Sequence, residues 1–154
     1  MRRATLVAIA LTAASSAAVS AQDVVRYVRY RAASGAVSYG VLENERVRRV
    51  EGDIFAQHRV TDEATPLAQV RLLAPVEPSK VIAVGLNYRS HLGNRQPAAE
   101  PGLFAKYPTS IAGPGDSIIA PADSKNLHYE GELVIVIGRR TKDVTLASAE
   151  CVVG

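Results

Sequence analysis

Apolar and polar residues first alternate at a two-residue rhythm. Val24-Val25-Arg26-Tyr27-Val28-Arg29-Tyr30, Val37-Ser38-Tyr39-Gly40-Val41-Leu42 and Arg46-Val47-Arg48-Arg49-Val50 are short β-branched or aromatic runs. Ser34-Gly35 and Glu43-Asn44-Glu45 separate them. Such runs between turn residues predict three strands of a small antiparallel sheet curled on itself. The arginines of the first and third runs then occupy the wet faces of strands. Gly52 to Pro66 is polar and is expected to be irregular. Leu67 to Leu73 leads to a boundary, and Ala74-Pro75-Val76-Glu77-Pro78-Ser79, with two prolines in four residues, is the linker.

Beyond the linker the apolar runs become continuous. Lys80 to Gly85 predicts a buried strand, Tyr88 toward Asn94 a short helix or ordered loop, and Leu103-Phe104-Ala105-Lys106 another strand. Arg95 to Gly102, rich in Pro, Ala and charge, is a candidate mobile lid. Pro108-Thr109-Ser110 and Gly113-Pro114-Gly115-Asp116 are turns, and Ser117 to Pro121 is a strand ended by proline. Leu133-Val134-Ile135-Val136-Ile137 is aliphatic throughout, the pattern of a strand covered on both faces.

Candidate chemistry lies at the mouth of that last run. Glu130 and Glu132 are two residues apart, so in an extended chain they project from one face. Two carboxylates beside a dry interior repel each other and are costly to desolvate, which invites a cation between them. Oxygen donors favour a hard ion, Mg2+, Mn2+ or Ca2+, over zinc. The competing reading is a pair of solvated glutamates where a strand leaves a turn.

Composition narrows the class. The 154 residues give room for one domain, or a small one and part of a second. The formal net charge is +3, and Arg2 and Arg3 supply two of those charges. With no basic stripe interleaved with stacking aromatics, a nucleic-acid partner is not expected. The single cysteine, Cys151, excludes an intrachain disulfide framework and reads as a small buried thiol. Met1-Arg2-Arg3, the apolar run Ala4 to Ala14 and the small residues Ser15 to Ala21 have the layout of a secretory signal peptide over residues 1–21. The apolar run is too short for a membrane span, so an exported protein, periplasmic or secreted, with no membrane association after signal removal is expected.

The order of Lys80-Val81-Ile82-Ala83-Val84-Gly85-Leu86-Asn87-Tyr88, His91, Leu103-Phe104-Ala105-Lys106, Gly113-Pro114-Gly115-Asp116 and Tyr129-Glu130-Gly131-Glu132-Leu133 with Gly138 resembles the fumarylacetoacetate hydrolase family. The resemblance implies a β-rich α+β fold: a small N-terminal antiparallel β domain over 22–73, the linker 74–79, and part of a mixed β-roll over 80–154. It implies a metal-dependent hydrolase or isomerase acting on acylpyruvates, β-diketones or oxo-diacids, and a homodimer of the full-length protein. In its terms Glu130 and Glu132 are two of three acidic metal ligands, His91 is the general base and Lys106 faces developing negative charge on the substrate. His128, beside the pair, is expected to support the site rather than ligate.

The sequence departs from the pattern at Asn94, where the family places a glutamate partner for the histidine. Asn94 can hold an imidazole but cannot accept its proton. The run Cys151-Val152-Val153-Gly154 has no turn, cap or polar tail after it, so a fragment of a longer domain is expected, with the third acidic ligand, an aspartate, a few residues further on. The alternative function is a non-catalytic secreted β domain, or an inactive fragment, that keeps the family motifs.

Overall fold

The computed structural model describes residues 24–151; the proposed signal peptide lies outside them. Five strands form the first sheet: β1 (Tyr27–Arg31), β2 (Val37–Glu43), β3 (Arg46–Gly52), β4 (His58–Pro66) and β5 (Arg71–Leu72), in the order β4-β3-β2-β1-β5 with every pairing antiparallel. The three expected strands are present. Between β2 and β3 the turn residues Asn44 and Glu45 have φ of 47° and 60°. This left-handed pair matches the twist of a tight hairpin, and Asn tolerates it better than Glu does.

The curled sheet buries residues on both of its faces, Tyr30 and Val47 on one and Val41 and Val50 on the other. Tyr30, Val41, Val47 and Val50 are buried, Val47 completely. Gly40 lets Tyr30 and Val47 close, since a Cβ there would overlap Val47 Cγ1 and the Arg48 carbonyl and come within 3.2 Å of the Tyr30 ring. Burial pushes the Tyr30 phenol above its ordinary pKa, with the Glu63 carboxylate acting in the same direction. Tyr27 Oη and His58 Nε2 meet at 2.8 Å although two strands separate β1 from β4. A flat sheet would set those strands about 14 Å apart, so the sheet is curled as expected.

The segment expected to be irregular is instead β4, a nine-residue strand. Its register with β3 skips between Arg48 and Val50, where Arg48 pairs with Ala64 and Val50 with Val60. Thr61, Asp62 and Glu63 therefore oppose Arg49 alone, which makes a β-bulge. The bulge leaves the Arg49 carbonyl free of the ladder, and the buried Thr61 hydroxyl donates to it at 3.0 Å. Bulge residues break the apolar alternation, which is why β4 does not read as a strand from sequence.

The second half is built differently. A two-stranded antiparallel ribbon, β6 (Val81–Gly85) and β7 (Gly102–Lys106), brackets the one-turn helix α1 (Arg89–Leu92). The expected strand at Lys80–Gly85 forms, but it is not buried: Ile82 is 59% exposed, and every residue of β7 is exposed. Ser117–Pro121 and Leu133–Val136 form no strand. Leu133, expected between two covered faces, is 92% exposed. A strand needs a neighbour for its N–H and C=O groups, and among the described residues these segments have none. Leu146–Cys151 is a 3-10 helix, and Val152 to Gly154 lie outside the described residues. The Cys151 side chain lies outside the described set.

Among the described residues, one ion pair holds the linker to the first sheet and another joins the two halves. Arg29 of β1, largely buried, pairs with Glu77 of the linker at 2.6 Å. Arg71 of β5 pairs with Asp116 at 2.6 Å, and Asp116 also accepts the Gly113 N–H at 2.8 Å. These partners hold the Asp116 carboxyl below its ordinary pKa, the Gly113 amide first and Arg71 next. Gly113 lies so close to the chain leaving β5 that a Cβ would come within 2.8 Å of the Ala74 nitrogen.

Candidate active site

The turn after β6 begins the site. Leu86 has φ of 55°, an uncommon left-handed conformation for a non-glycine residue, and it throws the chain off the ribbon into α1. Tyr88 stands at the N-terminus of α1, and its carbonyl accepts the His91 N–H at 3.0 Å. The two rings lie 5.7 Å apart between centroids, tilted at 38°. At the other end Arg95 donates to the carbonyls of His91 at 2.8 Å and Leu92 at 3.2 Å. That guanidinium satisfies carbonyls which so short a helix leaves free.

Against this turn lies the acidic segment. His91 Nε2 stands 3.4 Å from Glu130 Oε1, and the Tyr88 hydroxyl donates to the Gly131 carbonyl. Where the sequence left His91 beside Asn94 without an acidic partner, the fold supplies Glu130 from almost forty residues away. Both side chains are about half exposed, so the pair contributes little to stability.

The other expected site residues are not gathered as closely. Glu132 forms no ion pair among the described residues, and no group of three His, Cys, Asp or Glu side chains there is arranged to hold a metal ion. Glu130 and Glu132 offer the hard oxygen donors that a Mg2+-type ion takes, so the donor chemistry fits while the number of ligands falls short of a complete shell. Lys106 extends over its own strand neighbour Phe104, its Nζ 5.7 Å from the ring centroid, and makes no ion pair among the described residues. His128 is exposed.

A cleft of about 1310 Å3 opens elsewhere, between the linker, β6 and residues 134–141. Its walls include Tyr39, Phe55, Ile82 and Ile135 but none of the four candidate residues. Sequence reading missed the Tyr88–Gly131 link and the Glu130–His91 pairing. The Tyr88-x-x-His91 spacing carried part of the signal, since residues three apart share one side of a helical turn.

A curled antiparallel β domain, joined to a ribbon whose turn sets an imidazole against a carboxylate, defines a two-part β architecture with the makings of an acid–base site. Residues 25–75 match the family model described as Rv2993c-like, N-terminal, and residues 80–154 match the one described as fumarylacetoacetate (FAA) hydrolase C-terminal. The chain belongs to the fumarylacetoacetate hydrolase family. It is 45% identical over 104 residues to protein Rv2993c of Mycobacterium tuberculosis, covering 66% of this chain and 39% of that one. It is 46% identical over 82 residues to the mitochondrial oxaloacetate tautomerase Fahd2a of Rattus norvegicus, covering 51% of this chain and 26% of that one. Among solved structures, 2-hydroxyhepta-2,4-diene-1,7-dioate isomerase from Mycobacterium marinum matches with a TM-score of 0.72 at 37% identity, over 84% of this chain and 51% of that one. The chain thus spans about half or less of each of these relatives. No helix among the described residues is long and apolar enough to cross a membrane.

Proposed function

We propose that this chain supplies the histidine-and-carboxylate half of a metal-dependent enzyme that moves protons or breaks C–C bonds beside the carbonyl of an oxo-acid. The observation that carries the reading is the 3.4 Å approach of His91 Nε2 to Glu130 Oε1. The names of two relatives, an oxaloacetate tautomerase and a hydroxyheptadienedioate isomerase, point the same way and favour tautomerisation or isomerisation over hydrolysis. Oxo-diacids are therefore the substrate class to test.

In this reading Glu130 and Glu132 hold Mg2+ or Mn2+, with remaining oxygens from substrate, water or further chain. When bound, such an ion polarises the substrate carbonyl and favours its enolate form. The His91 imidazole takes the proton from the carbon beside the carbonyl, and Glu130 steadies the imidazolium that results. The proton then returns to carbon or oxygen, and keto and enol forms interconvert with no net loss of atoms. Lys106, released from Phe104, faces the negative charge on the substrate oxygen or carboxylate. Export after removal of residues 1–21 and assembly as a homodimer belong to the same proposal. Cell fractionation with N-terminal sequencing tests the first, and sedimentation the second.

The chemical test uses the full-length protein. Mg2+ is expected to raise its thermal midpoint, and Glu130→Gln with Glu132→Gln to abolish the rise. His91→Ala should lower oxaloacetate tautomerisation by about 100-fold or more while metal affinity changes little. A midpoint indifferent to Mg2+ and Mn2+, together with no turnover, would favour the non-catalytic β domain.

A further inference from the structure

Tyr88 touches both halves of the site. Its hydroxyl donates to the Gly131 carbonyl, its ring packs against the His91 imidazole, and its own carbonyl accepts the His91 N–H. The Gly131 carbonyl belongs to the peptide that leads into Glu132, and Glu130 is the residue before Gly131. One phenol therefore sets the rotation of the backbone from which both carboxylates project. That constraint matters because residues 127–136 have no strand ladder to orient them. On the other side, the left-handed turn at Leu86 and the Arg95 cap hold α1 in place.

We propose that Tyr88 is a positioning residue, which pins the Glu130-Gly131-Glu132 segment to α1 and so sets the distance between the imidazole and the carboxylates. The inference rests on the function proposed above for its importance, but its geometry stands without it. Tyr88 keeps 38% of its surface exposed, so water competes for the hydroxyl and the effect is that of one ordinary hydrogen bond.

Tyr88→Phe keeps the ring against His91 and deletes only the hydroxyl. In metal-free full-length protein, nuclear Overhauser contacts between the His91 ring protons and the Glu130 methylene protons report the pinning directly. They should be present in the wild type and lost in Tyr88→Phe, while resonances of Val41, Val47 and Val50 stay in place as the control for folding. Mn2+ titration should then show affinity weakened by about fivefold to tenfold, the weight of one hydrogen bond, with the metal-free thermal midpoint unchanged. Contacts that persist in Tyr88→Phe, or Mn2+ affinity within twofold of wild type, would overturn the positioning role. Loss of the contacts in a protein that binds no Mn2+ even as wild type would uphold the role of Tyr88 and sink the metal reading instead.

Discussion

Residues 24–73 and residues 80–151 have similar aliphatic, β-branched runs and different fates. In the first region each run has a neighbour: β2 lies between β1 and β3, Val47 is fully buried, and Thr61 satisfies the carbonyl freed by the bulge. In the second, β6 has β7 alone, and Leu133, Val134 and Ile135 stand 92%, 78% and 63% exposed. The difference teaches that an apolar run encodes a wish for cover and for ladder partners, and becomes a buried strand only where both are met. It also explains why the candidate site is open, since its acidic arm lies in the region without a ladder.

The sharpest way to break the comparison is to place a charge in each region. Val47→Asp would put an unpaired carboxylate at a fully buried position and is expected to unfold the first sheet, a loss of several kcal/mol. Leu133→Asp in the same chain should change stability by about 0.5 kcal/mol or less, because the residue already meets water. Urea denaturation followed by far-UV circular dichroism reads both. Equal losses would mean that the two regions are packed alike.

A smaller effect is expected where the regions meet. Gly113→Ala drives a Cβ into the backbone at Leu73 and Ala74, so the turn must lift away from β5 at a cost of about 1–3 kcal/mol. Limited proteolysis should then cut between residues 107 and 120 sooner, while the five-stranded sheet stays intact. Unchanged cleavage would show that the regions do not depend on this contact.

The smallest effect is the pH dependence of the same junction. The folded Asp116 carboxyl titrates below its unfolded value, so its contribution is present at neutral pH and is lost as pH falls through the lowered folded value. Acid should therefore loosen the junction before the first sheet melts, and Arg71→Ala should remove part of that dependence, the Gly113 amide keeping the rest. Proteolysis rates compared across the acid range measure it. A dependence unaltered in Arg71→Ala would remove this ion pair from the docking.

Much of this was legible beforehand, and the exceptions share a cause. Short β-branched and aromatic runs between turn residues announced the sheet because strand preference and turn chemistry are local properties of neighbouring residues. The motif order carried the family. β4 was hidden because the bulge at Thr61, Asp62 and Glu63 spoils the alternation from which a strand is recognised. The buried strand expected at Leu133–Ile137 failed for the opposite reason: its pattern was sound, but among the described residues Leu133 to Val136 find no ladder partner and Ile137 makes only an isolated bridge.

By itself, then, the sequence determined which residues prefer strands, where the chain turns, and which side chains offer the imidazole and carboxylate groups from which the proposed site is built. Those properties reside in single residues and their nearest neighbours. Only the tertiary structure decided that His91 meets Glu130 rather than Asn94, that Tyr88 reaches the peptide between the two glutamates, and that Asp116 closes on Arg71. Each of these joins residues about 40 apart in the chain, and a contact of that range exists only after the elements between have folded and set its distance.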